Sequence, residues 1–162
     1  MDESIRIGQI LIEQGVLSEH QVFEIVEAQR RSSMPFGVLA ERLFDVTVDS
    51  IERAWVEQYY RFTGTLDLES CRVDAEALKL IHRRQAWQFQ MVPLHFESGG
   101  ELLMAASRRR LARAVTFAAT RLEPVVLFRI AECDQLKRFL KAHYPMPEVS
   151  DELLQRAATM AR

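Results

Sequence analysis

Glycine is scarce in this chain, and none of it sits where a phosphate-binding loop needs it. Six glycines are spread over 162 residues, and neither G-x-x-x-x-G-K-[ST] nor G-x-G-x-x-G occurs. That removes the backbone cradles that nucleotide-hydrolysing and dinucleotide-binding enzymes build around phosphates. The two cysteines, Cys71 and Cys133, stand 62 residues apart. They read as ordinary cytoplasmic thiols, and neither a disulfide framework nor a zinc site is expected. His20, His82, His95 and His143 lack the short spacing that brings two imidazoles to one metal. No serine stands in G-x-S-x-G, and neither cysteine has a nucleophile's setting. No metal, cofactor or catalytic activity is therefore expected. Charge excess is missing too: 21 basic against 23 acidic residues leave a formal charge of −2. DNA- and RNA-binding domains are usually basic, so nucleic acid is not an expected partner. No apolar run approaches the roughly 20 residues of a membrane helix. The Met1-Asp2-Glu3-Ser4 start has no basic-then-apolar layout of a signal peptide. A cytoplasmic protein without membrane insertion is expected.

What the chain does have is apolar content, arginine and internal repetition. Its 48% hydrophobic composition suffices for a core that needs no cross-links. Of the 21 basic residues, 18 are Arg, whose planar fork stacks on bases and grips phosphates in pairs. A shift of 29 residues aligns Arg6–Gln29 with Pro35–Gln58. Gly8 then falls on Gly37 and Gln29 on Gln58. Ile7 meets Phe36, Ile10 meets Leu39, Leu17 meets Val46, Val22 meets Ile51, and Val26 meets Trp55. Ser18 aligns with Thr47, both good helix N-caps, and Ser18 with Gln21 makes a capping-box pattern. Each unit reads as a short helix, a turn and a longer capped helix. Gly15 supplies the first turn, whereas Phe44-Asp45 must build the second differently. A glycine early in each unit's first helix costs about 1 kcal/mol against alanine, and such a glycine often marks close approach of another backbone or a ligand.

Beyond Gln58 the helix runs on to about Gly64. Asp74–Leu80 and Arg83–Gln88 read as short helices, and Met91–Phe96 and Leu102–Ala105 as strands about a Gly99-Gly100 turn. Leu111–Thr120 reads as a helix, Val125–Ile130 as a strand and Glu132–Tyr144 as a helix. The expected fold class is α+β. Residues 5–64 would form a four-helix tandem-repeat subdomain. Residues 65–144 would form a small α/β sandwich with its helices on one sheet face, and 145–162 a linker and detached amphipathic helix. Tyr59, Tyr60, Trp87 and Phe89 are either core residues or exposed anchors for a partner.

The string from Arg6-Ile7-Gly8 through Gly15 to Gln29 resembles the tandem motif of MshEN domains, the N-terminal domains of type II secretion and type IV pilus assembly ATPases. Motif length and five-residue spacer both match, and the second half of the chain also resembles that region. The resemblance implies a regulatory, non-enzymatic module that binds cyclic di-GMP. Its ligand residues would be Arg6, Ile7, Gly8, Ile10, Leu11, Gln29, Phe36, Gly37, Leu39 and Gln58. Arg6 would stack on a guanine or pair with a phosphate, and Gly8 and Gly37 would admit the ligand to helix starts. Ile7, Ile10, Leu11, Phe36 and Leu39 would bed the bases, while Gln29 and Gln58 would bond the ligand or the neighbouring helix start. The second copy departs from the motif at Pro35, Phe36 and Phe44. Where the family has an Asp-Pro pair, this chain has Ser107 and then Arg108, Arg109 and Arg110. Those arginines form either a solvated turn, a phosphate clamp or a patch for an acidic partner. The alternative to ligand binding is a docking module for a platform protein of a secretion or envelope machine.

Overall fold

A computed structural model describes residues 6–147 and 151–160. Four helices open the chain: α1 (Ile7–Glu13), α2 (Glu19–Arg31), α3 (Phe36–Phe44) and α4 (Val48–Thr63). Their boundaries follow from local chemistry. The Ser18 hydroxyl accepts from the Gln21 amide at 3.2 Å and the Gln21 side chain accepts from the Ser18 amide at 2.8 Å, which closes the capping box at the head of α2. Thr47 caps α4 by accepting from the Ser50 amide at 3.3 Å. The two turns inside the repeats differ as their sequences require. Gly15 takes a φ of +69° after α1, whereas α3 runs further and Asp45 takes φ +51°. Asp tolerates that left-handed conformation better than most residues. Both turns nevertheless end on the same bond, Leu17 N–H to Leu11 O and its repeat counterpart Val46 N–H to Ala40 O.

The two glycines aligned by the repeat pack in the same way. A Cβ on Gly8 would stand 2.9 Å from Val22 Cγ1, and a Cβ on Gly37 would stand 3.0 Å from Ile51 Cγ2. Val22 and Ile51 are repeat counterparts. Each unit thus brings the head of its first helix hard against its second helix, and the side on which either glycine would carry a Cβ is filled by the chain itself.

The second half holds a four-stranded sheet ordered β1-β4-β3-β2. β1 (Thr65–Leu66) lies parallel to β4 (Val126–Ala131), β4 parallel to β3 (Leu102–Ser107), and β3 antiparallel to β2 (Met91–Phe96). The β2–β3 hairpin turns through Gly100 at φ +90°. Between β1 and β2 lie a 3-10 turn (Leu68–Ser70) and two short helices, α5 (Ala75–Leu78) and α6 (Arg83–Phe89). A 3-10 turn (Arg108–Arg110) and α7 (Leu111–Arg121) carry β3 over to β4, followed by α8 (Cys133–His143). α9 (Asp151–Met160) comes last, and every side chain described on it is exposed.

The placement of helices on one sheet face is corrected. Met104, Ala105 and Ala106 follow one another along β3, point to alternate faces, and are all fully buried. Both faces are therefore covered, as a parallel β3–β4 pair requires.

Two apolar cores result. One holds Ile10, Leu11, Leu17, Ile25, Leu39, Ala40, Val46 and Ala54, the other the sheet and its helices. α4 belongs to both, with Ala54 in the first core and Val56 in the second. Tyr59, further along the same helix, donates its hydroxyl to the Phe128 carbonyl of β4. Across the helical half, Arg61 pairs with Glu13 at 2.6 Å. Tyr59, Tyr60, Trp87 and Phe89 all pack against the second core. Trp87 Nε1 donates to the Tyr144 carbonyl at 2.7 Å. They are core residues rather than exposed anchors.

Candidate functional site

The heads of α1 and α3 and the tails of α2 and α4 meet at a pocket of about 470 Å³, lined by Arg6, Ile7, Gly8, Gln9, Val22, Val26, Gln29, Phe36 and Gln58. Six of the ten residues expected to contact a ligand are gathered here. The first repeat supplies Arg6, Ile7, Gly8 and Gln29, and the second supplies Phe36 and Gln58. Helix geometry explains the convergence. Val22, Val26 and Gln29 follow at four- and three-residue steps on one face of α2, and the repeat brings the closing Gln of α4 to the same mouth. Arg6 is exposed and, among the described residues, is the one charged residue of the pocket lining. It stands at the N-cap of α1 with φ −73° and ψ 139°. A guanidinium beside a helix start, where N–H groups lack partners, suits an anion.

The other four residues lie elsewhere. Ile10 and Leu11 are completely buried and Leu39 is 6% exposed, all within the helical core. They cannot bed a base, because the helical spacing that marked them points inward. Gly37 faces Ile51 and does not line the pocket. Phe36 does two jobs. It is half-buried, packs against the helical core and lines the pocket. Its ring lies over Gly8, 3.3 Å from where a Cβ would stand. Gln29 Nε2 donates to the Met34 carbonyl at 3.4 Å and so ties the end of the first repeat to the spacer.

Val22, Val26 and Gln9 were missed as lining residues. The repeat alignment already marks the two valines as recurrent apolar positions, but nothing in the sequence singles out Gln9. The counterpart of Val26 in the second repeat is Trp55, and it has been diverted. It stacks on Tyr59 at 5.7 Å between centroids and packs against the second core. Pro35 also departs. It is the N-cap of α3, with φ −59° and ψ 148°, nearly the geometry of Arg6.

Arg108, Arg109 and Arg110 do not reach this pocket. They line a separate groove of about 790 Å³ between α4 and the start of α7, which shares no lining residue with it. Arg108 is engaged there, paired with Glu57 and lying 4.3 Å above the centre of the Tyr60 ring. Their expected role as phosphate contacts for the repeat motif's ligand is not supported by this placement. Ser107, which fixes the approach to the turn, is buried, and its hydroxyl donates to Gln90 Oε1 at 2.8 Å.

Perturbed acid–base groups lie outside both cavities. Hydrogen bonding from Arg61 holds the Glu13 carboxyl below the usual carboxylate range. Burial raises Tyr59, Cys71 and Tyr144. None of these groups lines the repeat pocket or the arginine groove. Among the described residues there is no cluster of metal-ligating side chains, and no helix is long and apolar enough to cross a membrane.

No curated protein matches the chain. Among solved structures, "Structure of MshE with cdg" aligns at 21% identity over 86% of this chain and 99% of that one, with a TM-score of 0.48. The N-terminal domain of XpsE aligns at 18% identity over 84% of this chain and 92% of that one, with a TM-score of 0.46. The profile of the MshEN domain matches residues 60–150, which begins just after the second repeat ends and takes in the sheet and its helices. Since that match spans more than half of the sequence, the chain belongs to the MshEN domain family.

Proposed function

We propose that this MshEN domain is a regulatory module that binds cyclic di-GMP in the pocket between its two repeats. One observation carries the reading: counterpart residues of both repeats, Ile7 with Phe36 and Gln29 with Gln58, line a single cavity. The ligand has two guanines and two phosphates in near two-fold array, so a cavity with a repeated lining matches its symmetry. Arg6 stacks on a guanine or grips a phosphate, Ile7, Val22 and Val26 bed a base, and the Phe36 ring offers a second face. Gln29 and Gln58 supply amide donors and acceptors at the mouth. The grip is lopsided, because the second repeat has Pro35 in place of an arginine and has turned Trp55 away. The role is cytoplasmic signalling without catalysis, with the bound state passed on to a partner protein.

A calorimetric titration with cyclic di-GMP, with GTP and cyclic di-AMP as controls, tests the reading. Selective binding is expected. Arg6→Ala should weaken it by about 1.5–3 kcal/mol, the scale of a charged hydrogen bond, with an unchanged melting temperature since Arg6 is exposed. No binding by the folded domain would leave the second reading, docking to a secretion or envelope platform protein without nucleotide. That alternative is favoured by one feature: packing on Val22 and Ile51 already accounts for both glycines.

A further inference from the structure

The larger groove, between α4 and the start of α7, carries charge that the protein leaves unanswered. Five arginines line it: Arg53, Arg108, Arg109, Arg110 and Arg113. Two are occupied. Arg108 pairs with Glu57, and Arg53 folds back on the Asp49 carbonyl and the Ser50 hydroxyl of its own helix. Arg109, Arg110 and Arg113 have no hydrogen-bond or ion-pair partner among the described residues. The Nε of Arg110 is moreover buried and unsatisfied. Arg109, in the 3-10 turn, and Arg113, in the first turn of α7, are both exposed and both line the groove. The helix they introduce, α7, begins with no side-chain cap and no acidic residue in its first turn, so its partial positive charge adds to theirs.

The opposite wall limits what can enter. Asp49 and Glu52 of α4 also line the groove, so a long polyanion would set charge against them. The volume is that of a small-molecule site rather than a polymer track. From these features we infer that the groove is a second binding site, for a small ligand whose mono- or diphosphate group is held by Arg109, Arg110 and Arg113 at the start of α7. The forked guanidinium matches phosphate oxygens two at a time. This site is independent of the repeat pocket, with which it shares no residue.

The test uses pyrophosphate as probe, titrated at low ionic strength into the folded domain. The wild type should bind. Replacing both exposed arginines, Arg109→Gln with Arg113→Gln, should weaken binding at least about tenfold, while Arg84→Gln, at an exposed arginine that lines neither cavity, leaves it unchanged. Restoring charge with Lys at both positions should recover part of the affinity. Vesicles of phosphatidylcholine with phosphatidylglycerol form the second arm. Vesicle binding that is lost in the double Gln variant supports the site with a lipid as the source of the phosphate. Binding of neither probe overturns the inference, as does pyrophosphate binding that the double Gln variant retains. So does an oligoglutamate peptide binding more tightly than pyrophosphate, since that would make the groove a contact for an acidic protein.

Discussion

Gly8→Ala, taken through a double-mutant cycle with Val22→Ala, probes the contact on which the repeat pocket is built. The added methyl would stand 2.9 Å from Val22 Cγ1 and 3.3 Å from Phe36 Cζ. Carbon atoms prefer about 3.5–4.0 Å, so the closer contact must give by more than half an ångström. Val22 is β-branched and stiff about χ1 in a helix, which leaves the two helices to move apart. Overpacking of this kind costs about 1–3 kcal/mol, against a helix-propensity gain of about 0.5–1 kcal/mol for replacing glycine. The expected net loss is about 0.5–2 kcal/mol, a fall of roughly 2–6 °C in melting temperature for a chain of this size. Val22→Ala alone removes two methyl groups, about 1–1.5 kcal/mol at partial burial. Once it has made room, the Gly8→Ala penalty should disappear, so that the double variant is more stable than the sum of the singles by about 1 kcal/mol. Urea denaturation with a constant slope reads all four corners of the cycle. Additivity within about 0.5 kcal/mol, or a stabilising Gly8→Ala single variant, would refute the claim that close helix approach explains this glycine.

Three further outcomes follow from named contacts. Pro35→Arg should fold normally, since Pro35 is exposed and its dihedral angles match those of Arg6, and it should tighten cyclic di-GMP about tenfold, one charged hydrogen bond's worth; unchanged calorimetric affinity would make the second repeat a scaffold only. Burial keeps the Tyr144 hydroxyl protonated well above its ordinary range while it donates to the Leu78 carbonyl at 2.6 Å. Its folded pKa exceeds its unfolded one, so its stabilising contribution is complete below about pH 10 and declines above that by up to about 1.4 kcal/mol per pH unit; Tyr144→Phe should flatten that alkaline loss in denaturant melts, and an identical slope would contradict the assignment. Glu13 behaves with the opposite sign: its lowered pKa means stability present at neutral pH and lost as pH falls through the carboxylate range, a loss that Arg61→Gln should reduce.

The sequence makes the repeat legible because the same physical need occurs twice. A small residue must let the first helix of each unit meet the second, and a hydroxyl must cap the second helix, so Gly8/Gly37 and Ser18/Thr47 recur at one spacing. The strands were equally legible where β-branched and apolar runs stood beside a Gly-Gly turn. β1 escaped notice because two residues, Thr65 and Leu66, carry no periodicity and form a strand only through β4. Within the candidate site, helical spacing could not separate inward from pocket-facing apolar residues. Ile7 and Ile10 differ by less than one turn, yet one lines the cavity and the other is wholly buried. The fate of Arg108 was hidden for a related reason, as its partners Glu57 and Tyr60 lie on a helix about fifty residues earlier.

The most direct test of the central claim is an amide-resolved NMR titration of the labelled domain with cyclic di-GMP. Saturable shifts should concentrate on Ile7, Gly8, Gln29, Phe36 and Gln58, with those of Arg109 and Arg113 unmoved. Shifts confined to the α4–α7 groove, or no shifts in a well-folded spectrum, would contradict the assignment of the repeat pocket as the dinucleotide site.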